Sequence, residues 1–90
     1  MAARSGLIGV HTLIGRIERA ARSGATLTLA TPEGYDTTTW GETHAAARSL
    51  AAVLQARGVT PGTHVAILGP TTRPLITAIQ STWLTGGCLV

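Results

Sequence analysis

His64-Val-Ala-Ile-Leu68 is short and almost continuously apolar, and the last three residues, Cys88-Leu-Val90, start a second run of the same kind. A strand wetted on one face alternates polar and apolar residues; one that is apolar throughout is a strand covered on both faces. Between the two runs lies a helix pattern. Gly69-Pro70 leads in, Thr72 is placed to cap, and Pro74 falls in the first turn, where its missing N–H costs little. Leu75, Ile76, Ile79 and Trp83 share an apolar face, and Gly86-Gly87 ends it. Strand, helix and strand over 64–90 predict a βαβ unit with parallel strands and a right-handed connection. The fold class that follows is α/β.

The preceding helix has the clearest boundaries. Thr39-Trp-Gly-Glu42 has capping-box spacing, in which the Thr hydroxyl accepts from a free N–H and the Glu reaches back to the cap. Ala47, Leu50, Ala51 and Leu54 line one face, and Gly58 follows Arg57 where a left-handed residue would end the helix. Thr60-Pro-Gly62 is a turn. Further upstream, 25–30 alternates Leu27 and Leu29 against Thr26 and Thr28, and 35–39 is rich in β-branched Thr. Thr31-Pro-Glu-Gly34 between them is a turn signal, so the pair predicts a hairpin. Thr12 is placed to cap a helix over 13–22, with Leu13, Ile17 and Ala20/Ala21 at helical spacing and Ser23-Gly24 as its stop. Residues 1–11 are expected to be a loose N-terminal segment, and 12–90 one folded piece. Leu50, Leu54, Ile67, Ile79 and Trp83 are the expected core.

Ninety residues allow one small domain. Only 12% are charged, and that scarcity suggests apolar surface meant to be covered by something else. All seven basic residues are Arg. Arg16, Arg19 and Arg22 would form a loose basic stripe on the first helix, read as a solvated face. The single Cys88 excludes an internal disulfide and a multi-cysteine zinc site and suits a reducing compartment. The N-terminal run is too short and interrupted for a secretion signal, and no stretch approaches membrane-spanning length. A cytoplasmic location is expected.

Few residues carry chemistry. Gly69-Pro-Thr-Thr72 lies between a strand and a helix N-terminus, a place that can hold an anion. It lacks the Lys and the glycine spacing of a P-loop, and also the G-x-G-x-x-G pattern, so it reads as a connector. His11, His44 and His64 have no metal-ligand spacing. Ser49 and Cys88 have no neighbouring base in sequence, and Cys88 reads as a small buried apolar residue. No catalytic, cofactor-binding or metal-binding residue is assigned.

The text from Thr39-Trp-Gly-Glu-Thr-His through Gly58-Val-Thr-Pro-Gly-Thr-His-Val-Ala-Ile-Leu-Gly-Pro70 and on to Val90 closely resembles the N-terminal part of adenylate-forming enzymes, the superfamily of acyl-CoA synthetases and fatty acyl-AMP ligases. Ala78-Ile79-Gln80, Trp83-Leu84 and Gly86-Gly87 look most like the fatty acyl-AMP ligase branch. The likeness is good over just over half the chain, and over most of it if the first helix and hairpin count. Arg73 departs from the Pro often found there, with Pro74 one place late.

The resemblance implies a parent that joins a fatty acid to ATP, with Mg, releases pyrophosphate, and passes the acyl group to a carrier protein or coenzyme A. It also implies a large N-terminal domain and a small mobile one. The family's phosphate loop with its Lys, its adenine motif, its ribose-holding Asp and its C-terminal Lys are not found, and the chain has no Lys at all. The expectation is a structural N-terminal portion, a truncated piece of a larger α/β domain, inactive alone and partnered by the rest of the enzyme. Its unmatched apolar surface and open strand edge would favour self-association. Two alternatives are a self-contained α/β interaction module and a basic nucleic-acid-binding domain.

Overall fold

The computed structural model describes residues 12–90. The expectation for 1–11, and His11 with it, lies outside the described residues. Seven elements follow in order: α1 (Leu13–Arg22), β1 (Thr26–Thr31), β2 (Gly34–Thr39), α2 (Trp40–Ala56), β3 (His64–Val65), α3 (Arg73–Leu84) and β4 (Cys88–Leu89). β1 and β2 pair antiparallel, and β3 and β4 pair parallel. The fold is α/β, with the expected order of elements.

Helix ends fall where the sequence puts them. The Thr12 hydroxyl accepts from the Gly15 N–H at 3.0 Å, and the Thr39 hydroxyl from the Glu42 N–H at 3.0 Å. The second half of the capping box is replaced: the Glu42 carboxylate accepts from the Thr38 hydroxyl at 3.3 Å. α2 and α3 both end in a Schellman motif. The Val59 N–H reaches Leu54 O and the Gly58 N–H reaches Gln55 O; the Gly87 N–H reaches Thr82 O and the Gly86 N–H reaches Trp83 O. Gly58 and Gly86 sit at φ of 101° and 78°, a region an L side chain resists.

The hairpin pairs Thr26 with Thr39 through Thr31 with Gly34, joined by Pro32-Glu33. Leu27 and Leu29 turn inward, and Thr28 meets Thr37 on the open face, hydroxyl to hydroxyl at 3.0 Å. β3 and β4 align His64 with Cys88 and Val65 with Leu89. Their pairing is secured by Cys88 N–H to Thr63 O at 2.7 Å and Val90 N–H to Val65 O at 3.0 Å. The expected strand over 64–68 is therefore shorter, because β4 offers partners only as far as Val90. Its two-sided burial is also not seen: Val65 and Ile67 are half-buried, while His64, Ala66 and Leu68 are exposed.

The interior differs most from expectation. α2 packs chiefly on α3, and α1 packs on α2. At the centre lie Ala47, with no exposed surface, and Ala51. Thr43, Gln80, Ser81, Thr82 and Thr85 are buried with them. Leu50, Leu54, Ile67, Ile79 and Trp83 are only half-buried. Small side chains let the helices approach closely, and the larger ones are pushed to the rim. Three of the buried hydroxyls are satisfied at the end of α3: Ser81 and Thr82 donate to Ala78 O at 3.0 and 2.9 Å, and Thr85 to Thr82 O at 2.6 Å. At the α1–α2 crossing, a Cβ on Gly41 would lie 3.0 Å from Ala21 O, so only glycine fits without movement. Leu13, expected on the inner face of α1, is 51% exposed; Ile14, Ile17, Ala20 and Ala21 are the half-covered residues there, with Gly15 buried.

Candidate functional site

The residue that sequence reasoning passed over is Arg73. Its Nε donates to Asp36 Oδ2 at 2.6 Å, and its Nη2 donates to Asp36 Oδ1 at 2.5 Å and to Thr37 O at 2.8 Å. This two-pronged grip ties β2 to the first residue of α3, and it is the one ion pair among the described residues. The hydrogen bond to Asp36 raises the Arg73 pKa, helped by the charges of Asp36 and Glu42 and opposed by desolvation. Both side chains stay over a third exposed, at 44% and 36%, so the pair works in wet surroundings. The only sequence signal was the displaced Pro74, and nothing in the text paired position 73 with position 36.

The β3–α3 connector is open. Gly69, Pro70, Thr71 and Thr72 are all exposed. Thr72 occupies the cap position with extended backbone but makes no side-chain cap bond; its hydroxyl turns to Pro70 O at 3.4 Å. The expected cap is thus made by conformation alone. Beside the connector, Ile67, Leu68, Leu75, Ile79, Leu89 and Val90 border a shallow apolar hollow.

A second concavity lies between α1 and α2, against the end of α3. Glu18, Ala21, Arg22, His44, Arg48 and Leu84 line it. The Nδ1 of His44 is buried there without a hydrogen-bond partner among the described residues. Arg22 and Arg48 are exposed, as are Arg16 and Arg19. The fold does not bring the other reactive candidates together. Ser49 is exposed, its hydroxyl donating back to Ala45 O at 3.2 Å. His64 is exposed at the start of β3. Cys88 is exposed, contrary to the buried place expected of it, because it falls on the open side of a two-residue strand. Among the described residues no three His, Cys, Asp or Glu converge to hold a metal ion.

This α/β arrangement matches a known family. The family of AMP-binding enzymes matches residues 17–90, and the chain belongs to it. Fatty acyl-adenylate ligase from L. pneumophila, solved with acyl adenylate and pyrophosphate, is similar over 80% of this chain, at 31% identity and a TM-score of 0.71. The adenylation domain of a carboxylate reductase from Mycobacterium chelonae is similar over 99% of this chain, at 22% identity and a TM-score of 0.68, a likeness of fold. The chain spans 13% of the first and 17% of the second. A comparison with curated proteins gives no match.

The family implies ATP and Mg, and the residues present do not fit them. The start of α3 offers backbone N–H groups, but its cation, Arg73, is already taken up by Asp36 and Thr37. The chain has no Lys to meet a phosphate. The described residues show a hairpin clipped to a helix by Arg73 and Asp36, and a parallel strand pair that follows Gly86-Gly87. No helix among the described residues is long and apolar enough to cross a membrane.

Proposed function

We propose that this chain is the structural N-terminal portion of a fatty-acid-activating ligase. The parent joins a fatty acid to ATP, with Mg, giving acyl-AMP and pyrophosphate, and hands the acyl group to a thiol. A carrier protein is the preferred acceptor and coenzyme A the alternative. The observation that carries this reading is the family match over 17–90. The 31% identity with a fatty acyl-adenylate ligase supports the branch. The same match leaves neither a self-contained interaction module nor a nucleic-acid-binding domain favoured. By itself the chain is not expected to adenylate: among the described residues the start of α3, the candidate phosphate cradle, has its cation Arg73 engaged by Asp36 and Thr37. A cytoplasmic location belongs to the same proposal, supported by the single cysteine.

The test uses the full-length ligase with ATP and fatty acids of several lengths, offering coenzyme A or a phosphopantetheinylated carrier protein. Adenylate without acyl-CoA, followed by loading of the carrier, supports the ligase branch. Efficient acyl-CoA formation moves the parent to the synthetases. No adenylate with any carboxylate discards the activity. In parallel, ATP–pyrophosphate exchange by the 90-residue chain should stay at background; exchange in a clean preparation removes the scaffold reading.

A further inference from the structure

We propose that the outer edge of β1 recognises itself: two copies of this chain pair β1 to β1, antiparallel, about a two-fold axis at Thr28. In an antiparallel pair, residues that bond across the ladder alternate with residues whose N–H and C=O point away from it. The bond from Trp40 N–H to Ala25 O sets the phase, and the register carries it on through Leu27 with Thr38 and Leu29 with Asp36. Thr26, Thr28 and Ala30 therefore turn their backbone groups outward on β1, and Tyr35, Thr37 and Thr39 do so on β2. The two edges are guarded differently. On β2, Thr37 O accepts from Arg73 Nη2 at 2.8 Å, and the clip to Asp36 holds that guanidinium in place. On β1, among the described residues, no strand lies beyond the edge, and Thr26, Thr28 and Ala30 are exposed. The run from Ala25 to Thr31 also holds no charge and no Pro, the usual guards of a free edge.

The occupant follows from the symmetry of the strand. With Thr28 on the axis, Thr28 faces its own copy, Thr26 faces Ala30, and Leu27 faces Leu29. Every outward residue then meets another outward residue, so the facing pairs exchange N–H···O=C bonds in both directions. The leucines meet on the half-buried side of the strand, and the threonines on the exposed side. The charges agree as well. The same register brings the turn at Glu33 of one copy to the start of β1 in the other, beside Arg22 at the end of α1. Glu33 and Arg22 are both exposed, and neither is in an ion pair among the described residues. Such an interface is isologous and closes at two copies, because the axis uses the β1 edge of both.

The test follows self-association of the 90-residue chain by sedimentation equilibrium up to about 1 mM, the weak end of specific association. A monomer–dimer equilibrium is expected. In a half-labelled sample, isotope-filtered NMR should show α-proton contacts between Leu27 of one copy and Leu29 of the other, as in a non-hydrogen-bonded pair. Thr28→Pro deletes an outward N–H and no ladder bond of the hairpin. It should weaken the dimer about tenfold or more, the scale of losing a pair of backbone hydrogen bonds. Thr28→Lys and Thr28→Glu should each weaken it about fivefold, because like charges then face across the axis. An equimolar mixture of those two variants should associate again, as a heterodimer, since position 28 faces itself. Leu68→Ser, on the outer apolar face, should change the dimer constant less than about twofold, as a distant site does. Circular dichroism confirms that each variant is folded, and the lysine–glutamate mixture carries the test should Thr28→Pro not fold. A chain monomeric throughout, a mixture that fails to associate, or a dimer abolished by Leu68→Ser and kept with Thr28→Lys would each overturn the proposal.

Discussion

The α2–α3 seam and the α3–β4 outer face are built in opposite ways. The seam buries Ala47, Ala51, Ser81, Thr82 and Thr85. The outer face leaves large aliphatic groups in water: Leu68 is 102% exposed and Val90 is 70% exposed. In a small domain that stabilises itself, the large apolar residues occupy the middle. Here the tight centre is a spacer between helices, and the apolar bulk points away from it. Contiguous apolar surface of this kind marks contact with another body. Under the function proposed above, that body is the remainder of the ligase.

That contrast can be broken most forcefully at the seam. Ala47→Leu should overpack a position with no exposed surface and cost about 1–3 kcal/mol, read from the urea midpoint. A neutral result would mean the helices can separate freely. At the edge of the seam, Thr39→Ala removes the one side-chain bond capping α2 and should cost about 1 kcal/mol. No change would show that the helix start is held by the hairpin instead. The clip is a smaller matter. Arg73→Gln and Asp36→Asn should show a weak coupling in a double-mutant cycle that shrinks as salt rises. On the arginine side this coupling should hold steady from neutral pH to about pH 10. A raised arginine pKa means its contribution is fully present below the unfolded value and is lost only as pH climbs through the folded one. Loss of coupling between neutral pH and about pH 10 would contradict the assigned pair.

The smallest effect belongs to the outer face and sharpens the comparison. Leu68→Ala in this chain should change stability by less than about 0.5 kcal/mol, as exposed sites do. In the full-length ligase the same change should cost about 2–5 kcal/mol if that face is covered. Equal small effects in both would leave the face without a partner. Hydrophobic-dye binding and sedimentation of the 90-residue chain read the same surface; a strictly monomeric chain that binds no dye would favour a self-contained domain.

Local punctuation was legible, and side-chain depth was not. Thr12 and Thr39 cap, and Gly58 and Gly86 stop, as their residue types dictate, because caps and stops are settled within a few residues. The hairpin register follows from Thr31-Pro-Glu-Gly34 for the same reason. Leu50, Leu54, Ile67, Ile79 and Trp83 do point toward apolar neighbours by spacing, yet spacing gives a face and not its depth. How far each is covered depends on what else lies over it, and the described residues leave all five half-buried. The candidate groove was invisible for a different reason. Arg22, His44 and Arg48 come from two helices separated by a hairpin, and the packing of those helices, closest at Gly41 and Ala21, brings them together.

The grip of Arg73 on Asp36 spans 37 positions of chain, whereas the caps and the hairpin close over a handful. Contacts between distant positions carry the larger loop-closure entropy, so they form after local ones. The clip should therefore be absent from the barrier crossing and present only in the finished state. Arg73→Gln is expected to leave the refolding rate of this chain nearly unchanged and to quicken unfolding, a shift confined to one limb of a stopped-flow chevron. Slower refolding instead would place the hairpin-to-helix clasp in the nucleus. On this account the clasp acts as a latch on lifetime: it governs how long the hairpin stays seated once folded.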